Sequence, residues 1–178
     1  MLTVGDRFPR FALQAVVSSD PAHAFAEVRH DGAPGTWQVV FFWPKDFTFV
    51  CPTEIAGFGR LAREFAARGA RLLGASTDSE YVHLAWRRQH PDLRELPFPM
   101  LSDLKRELST ALGILDADGV CLRATFVVDP EGVIRFASAN DSAVGRSPEE
   151  VLRVLDALQS GGLCPVGWQR GDPHLAAA

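Results

Sequence analysis

The apolar positions of this chain change period along its length, and each change marks an element. Trp37–Trp43 reads WQVVFFW, an apolar run between turn residues. Such a run predicts a strand buried on both faces. After PKDFTFVCPTE, residues Ile55, Phe58, Leu61, Ala62, Phe65 and Ala66 recur at helical spacing. Pro52 suits the first helical turn and Gly69 the position just past the end, so the helix covers Pro52–Arg68. Arg71–Ser76 (RLLGAS) reads as a second buried strand. Strand, helix and strand in that order predict a parallel βαβ unit.

Residues 79–89 are again helical, with Tyr81, Val82, Ala85 and Trp86 apolar. Pro97 and Pro99 bracket an extended piece reaching Met100–Leu101, and Asp103 can cap a helix running to Leu112 and closed by Gly113. ATFVVD (124–129) and VIRFASA (133–139) flank Pro130-Glu131-Gly132, a connection short enough for an antiparallel hairpin. Ser147 as N-cap, Pro148 and Glu150 open a last helix, whose stripe of Val151, Leu152, Val154, Leu155 and Leu158 ends at Gly161-Gly162. Residues 16–36, with Asp20-Pro21, Asp31-Gly32 and Pro34-Gly35, read as loop and hairpin. A parallel half followed by a hairpin and a helix is the element order of an α/β, thioredoxin-like fold, a mixed central sheet flanked by helices. That step is analogy, and a fold alone assigns no chemistry.

Composition narrows the classes. At 178 residues, 47% hydrophobic and 22% charged, the chain builds one core without a disulfide staple. No apolar run approaches the ~20 residues of a membrane span. The N-terminal MLTVGDRFPRF lacks the continuous apolar centre of a signal peptide, so the expected location is the cytoplasm. A net charge of −4 without a basic block speaks against nucleic acid.

The candidate chemistry lies in sulfur. Cys51, Cys121 and Cys164 form no C-x-x-C, and the five histidines show no metal-ligand spacing. Cys51 falls at a helix start, where free backbone N–H groups and the positive helix end stabilise a thiolate. Thr48, three residues earlier, can aim a hydroxyl at whatever the sulfur attacks, and Pro44 can wall the pocket. The same spacing also fits a small buried filler preceded by a plain N-cap threonine, and spacing alone leaves the two readings level.

The run Pro44-Lys45-Asp46-Phe47-Thr48-Phe49-Val50-Cys51 resembles the P-x-x-x-[TS]-x-x-C signature of the peroxiredoxins. FFWPKDFTFVCPTEIAGF is similar to the AhpC/typical two-Cys branch, as are DSEYVHLAW (78–86), LPFPMLSDLKREL (96–108), RATFVVDPEGVIRF (123–136), VGRSPEEVLRVLDALQ (144–159) and LCPVGW (163–168). The resemblance covers nearly the whole chain in order. It implies a peroxiredoxin domain over 1–160 and a C-terminal segment, 161–178, carrying a second reactive cysteine.

By that resemblance Cys51 is the peroxidatic cysteine, which becomes a sulfenic acid. Thr48 holds the peroxide, Pro44 shields the sulfenate, and Arg123 stabilises the thiolate and transition-state charge. Glu54 and Arg146 orient Arg123, although either alone would read as a surface salt bridge. Cys164 is the resolving cysteine, attacking Cys51 of the other subunit, with Gly161-Gly162 giving the segment freedom. In a one-Cys peroxiredoxin, the nearest competing reading, Cys164 is irrelevant. Cys121 matches no functional position and reads as a bystander. Trp86 matches a tryptophan near the site, and His83 receives no catalytic role.

The implied substrate is a hydroperoxide and the implied reductant a thioredoxin, AhpD or AhpF-like protein. The implied assembly is a homodimer, commonly a ring of five dimers, with Val133–Ala139 as a candidate edge. No metal or organic cofactor is implied, because the redox equivalents sit on sulfur. Where sensitive relatives insert G-G-L-G, this chain reads HPDLRELPF, and no Tyr or Phe follows Cys164. Both departures imply easy local opening and resistance to overoxidation.

Overall fold

The computed structural model describes residues 1–31 and 35–176. The turn signals at Gly32 and Pro34 lie outside the described residues. The strands are β1 (Ala12–Val16), β2 (Phe25–Arg29), β3 (Trp37–Phe42), β4 (Ala70–Ser76), β5 (Met100–Ser102), β6 (Arg123–Val128) and β7 (Ile134–Asn140). The helices are α1 (Cys51–Ala67), α2 (Glu80–Gln89), α3 (Glu107–Leu112) and α4 (Pro148–Ser160). One seven-stranded sheet has the order β2-β1-β5-β4-β3-β6-β7. The β3–β4 and β4–β5 pairs are parallel, and the other neighbours are antiparallel.

Strand β3 is central, and its two-residue period divides the core. Val39, Phe41 and Trp43 face α1 and α4, meeting Ile55, Phe58, Phe65, Val151 and Leu155. Val40 and Phe42 face the other layer with Phe8, Leu108, Leu112 and Ile114. Fully burying each large apolar side chain contributes roughly 1.5–3 kcal/mol. Gly74 on β4 has a packing reason: a Cβ there would lie 2.9 Å from both the Phe41 and the Trp43 ring.

Topology then fixes where chemistry can gather. Strand β3 delivers the chain through residues 43–50 to the start of α1. Antiparallel β6 pairs Thr125 with Phe41, so Arg123 lies at that same end of the sheet.

Two local expectations are corrected. The hairpin anticipated within 16–36 has its first strand earlier, at Ala12–Val16, joined through residues 17–24 to β2. Only Ala15 and Val16 of β1 are buried, which leaves its sequence without a clear alternating pattern. Helix α3 starts at Glu107 rather than near Asp103, because Arg106 takes a left-handed φ of 60°. Asp103 still caps it from a distance, accepting from the amides of Leu108 (3.2 Å) and Ser109 (2.7 Å). The glycine pair after α4 also has a local packing reason. Gly161 ends the helix at φ 68°, and Gly162 packs against the His174 ring.

Candidate active site

Cys51 is the first residue of α1 and is fully buried. Val50 is the N-cap and makes no side-chain capping bond. Thr48 is therefore not the cap; its hydroxyl donates to the Lys45 carbonyl at 2.9 Å. Pro44 and Thr48 are both half-buried on the loop leading to Cys51.

Asp46 anchors that loop. Its amide donates to Asp78 Oδ2 (2.9 Å), and its carboxylate accepts from Trp43 Nε1 (2.7 Å) and lies 2.6 Å from His83 Nδ1. His83 Nε2 lies 3.1 Å from the Leu101 carbonyl. Burial holds the Asp46 carboxyl above its ordinary range despite the His83 contact. Phe47, at a left-handed φ of 56°, sits 5.8 Å from the buried Trp86 ring. Trp86 thus supports the loop from α2 and belongs to the same core cluster as Cys51. Sequence reasoning missed Asp46 as an anchor, although it lies inside the motif. It placed no role on His83, which is buried and fully partnered here.

Arg123 meets the sulfur. Its Nη1 lies 3.2 Å from Cys51 Sγ and 2.6 Å from Glu54 Oε2, and its Nε donates to the Ser142 carbonyl at 2.8 Å. Glu54 sits in the same helical turn as Cys51. Its Oε1 accepts from both the backbone N and Nε of Arg146 at 2.8 Å, and its Oε2 also accepts from Arg146 Nη2 at 3.1 Å. Arg146 Nη1 reaches the Ala124 carbonyl at 2.7 Å, and its guanidinium lies over the Phe41 ring at 5.4 Å. The side chains of Glu54, Arg123 and Arg146 are at most 5% exposed, which excludes a surface salt bridge. Two cations share one carboxylate, so the network presents a surplus positive charge to the sulfur. In a water-poor site that arrangement stabilises negative charge strongly.

The other thiols are placed differently. Cys121 is buried 3.1 Å from Ser109 Oγ, and burial pushes its thiol up to about 12, as suits an inert thiol. Cys164 is half-buried against the end of α4, with Sγ 3.3 Å from Ser160 Oγ. All three cysteines are free, and the fold of one chain leaves Cys164 away from the Cys51–Arg123 contact. A surface cavity of about 620 Å³, lined by Arg7, His30 and Glu131, includes none of these residues. Among the described residues, no cluster of His, Cys, Asp or Glu could hold a metal ion, and no helix is long and apolar enough to cross a membrane.

Sheet and site define a class: a thioredoxin-like protein with a buried cysteine at a helix start, set against an arginine. The AhpC/TSA family model matches residues 4–137, and the chain belongs to that family. It is 56% identical over 185 aligned residues to alkyl hydroperoxide reductase C of Mycobacterium tuberculosis (strain H37Rv), covering 99% of this chain and 95% of the relative. The protein of the same name from Mycolicibacterium smegmatis is 54% identical over the same shares. Among solved structures, Mycobacterium bovis AhpC matches with a TM-score of 0.88 at 56% identity, over 95% of this chain and 99% of that one. Reduced 2-Cys peroxiredoxin from Plasmodium vivax matches with 0.90 at 36% identity, over 98% and 93%.

Proposed function

We propose that this chain is a thiol-dependent peroxidase that reduces hydrogen peroxide and organic hydroperoxides. The observation that carries the reading is Arg123 Nη1 at 3.2 Å from the buried Cys51 sulfur, held there by Glu54. The Cys51 thiolate attacks the nearer peroxide oxygen. An S–O bond forms, the O–O bond breaks, and the departing oxygen takes a proton to leave as water or an alcohol. Cys51 is oxidised to sulfenic acid. Arg123 stabilises the charge that passes from sulfur to the leaving oxygen, while Thr48 and Pro44 define where the peroxide lies.

Cys164 of a second copy then attacks the sulfenic sulfur, expelling water and leaving an intersubunit disulfide. A dithiol protein of the thioredoxin, AhpD or AhpF type returns two electrons by thiol–disulfide exchange. The working form is an oligomer of homodimers, built on the β7 edge and closing as a ring of five dimers. Its compartment is the cytoplasm, where thiols stay reduced.

Cys51→Ser and Cys164→Ser test the scheme together. Cys51→Ser abolishes peroxide consumption. Cys164→Ser consumes about one equivalent and stalls as sulfenic acid, with no disulfide-linked dimer on a non-reducing gel. Normal turnover in Cys51→Ser overturns the peroxidatic assignment. A peroxide-dependent disulfide dimer in Cys164→Ser overturns the resolving one.

A further inference from the structure

The segment after α4 is a closed clip. The Leu175 amide donates to the Leu163 carbonyl at 2.9 Å, closing it one residue before Cys164. Inside the clip the Trp168 amide donates to the Pro165 carbonyl (3.1 Å), and its indole N–H donates to the Asp172 carbonyl (3.0 Å). Trp168 is buried, and Arg153 of α4 donates to its carbonyl at 3.0 Å. The His174 ring stacks on the Trp168 indole, with centroids 5.3 Å apart and planes 15° apart. The same ring closes on Gly162, where an added Cβ would collide with its Cγ and Cδ2. Cys164 lies between these two contacts, its thiol turned toward Ser160 Oγ and the Ala157 carbonyl of α4.

The geometry points to His174 as a positioning residue: seated between Trp168 and Gly162, its ring keeps the clip shut and sets how often Cys164 leaves α4. This rests on the resolving role proposed for Cys164. A closed clip lengthens the life of the Cys51 sulfenic acid, giving a second peroxide more time to make sulfinic acid. It is therefore a brake on resolution, placed around Cys164. The energy of an aromatic pair in this geometry corresponds to about a three- to tenfold change in the open population.

The test is iodoacetamide labelling of Cys164 in the reduced full-length protein, followed by mass spectrometry of its peptide. His174→Ala speeds labelling about three- to tenfold, and His174→Phe, which restores a flat ring, returns it to the parent rate. Gly162→Ala speeds labelling too, because its methyl displaces the ring. In a His174→Ala background Gly162→Ala adds nothing, since no ring remains to displace. Unchanged labelling in His174→Ala, or additive effects in the double variant, overturns the clip. Stopped-flow disulfide formation after one equivalent of peroxide separates the two claims. If labelling accelerates while Cys164 enters no disulfide, the clip stands and the resolving role falls. If both accelerate in the same order of variants, both stand.

Discussion

Glu54→Gln isolates the part of the site that positions rather than reacts. The parent carboxylate accepts four hydrogen bonds, one from Arg123 and three from Arg146. Glutamine keeps the shape but offers one acceptor oxygen. If that oxygen keeps the two Oε1 bonds, an NH2 group faces Arg123 Nη1 and Arg146 Nη2. The 2.6 Å bond to Arg123 is then lost. Removing one partner from a buried ion pair costs about 3–5 kcal/mol. For a chain of this size each kcal/mol lowers Tm by roughly 2–4 °C, so the expected drop is about 6–20 °C. Arg123 keeps its tie to Ser142, but its Nη1 is no longer held at the sulfur. A displacement of about 1 Å at such a group costs on the order of 100-fold in rate. Differential scanning fluorimetry reads the first effect, and stopped-flow competition for hydrogen peroxide reads the second. Glu54→Asp retains the charge one methylene short and falls between parent and Gln in both. A Glu54→Gln variant that melts lower yet keeps the parent rate constant refutes the positioning role, leaving Ser142 as the sufficient hold on Arg123.

Cys121 stays unlabelled by iodoacetamide in the native state at pH 8 and reacts only on unfolding, which peptide mass spectrometry checks against Cys51 and Cys164. Its thiol is raised, so the folded chain keeps a proton that the unfolded chain loses above about pH 9. Stability is full below that point and declines by up to about 4 kcal/mol as pH rises to about 12, a slope that Cys121→Ala flattens in urea titrations. His83→Ala takes one hydrogen-bond partner from the buried Asp46 carboxyl, leaving Trp43 Nε1 on it, and costs about 1–3 kcal/mol in urea unfolding. Because Asp46 anchors the loop bearing Pro44 and Thr48, the same variant also slows peroxide attack.

Strong periodicity made α1, β3, β4 and α4 legible, because each carries enough apolar residues at one spacing to overrule local noise. Strand β1 was not, since an outer strand with two buried residues has little pattern to show. The break before α3 was hidden because a left-handed Arg106 has no compositional signal. At the site, Cys51 and Thr48 were findable from spacing but ambiguous with a filler and a cap. The structure removes the cap reading of Thr48 and shows the sulfur against Arg123. Glu54 and Arg146 are 92 residues apart, and only the fold shows that both are buried on one another. The clip was opaque for a similar reason: Gly162 reads as slack until His174 is seen filling the space where its side chain would be.

The placement of two buried carboxylates limits how the site can open. For a disulfide to form, Cys51 must leave its pocket. Unwinding α1 past Glu54 would break four charge-assisted bonds and strand two guanidinium groups in the core. Upstream, movement past Asp46 would break its ties to Trp43, Asp78 and His83. Between those anchors no carboxylate ties the chain down: Cys51 is buried on Arg123, Phe47 leans on Trp86 and Thr53 bonds only within the turn, to the Val50 carbonyl. Phe49 is 94% exposed, Thr53 is exposed, and Pro52 has no amide to donate. The cheapest opening is therefore confined to residues 47–53. Cys51 is three residues from Glu54, and an extended chain spans at most about 3.6 Å per residue, so the sulfur travels roughly 10 Å from that anchor. On the resolving role proposed for Cys164, the remaining approach falls to that residue, and the proposed clip around it would then set the rate. Hydrogen exchange on the reduced protein tests the boundary: amides of 47–53 exchange quickly, and protection rises sharply from Glu54 onward. Protection that instead grows gradually through Phe58 would mean the whole start of α1 frays, and Glu54 would not be the hinge.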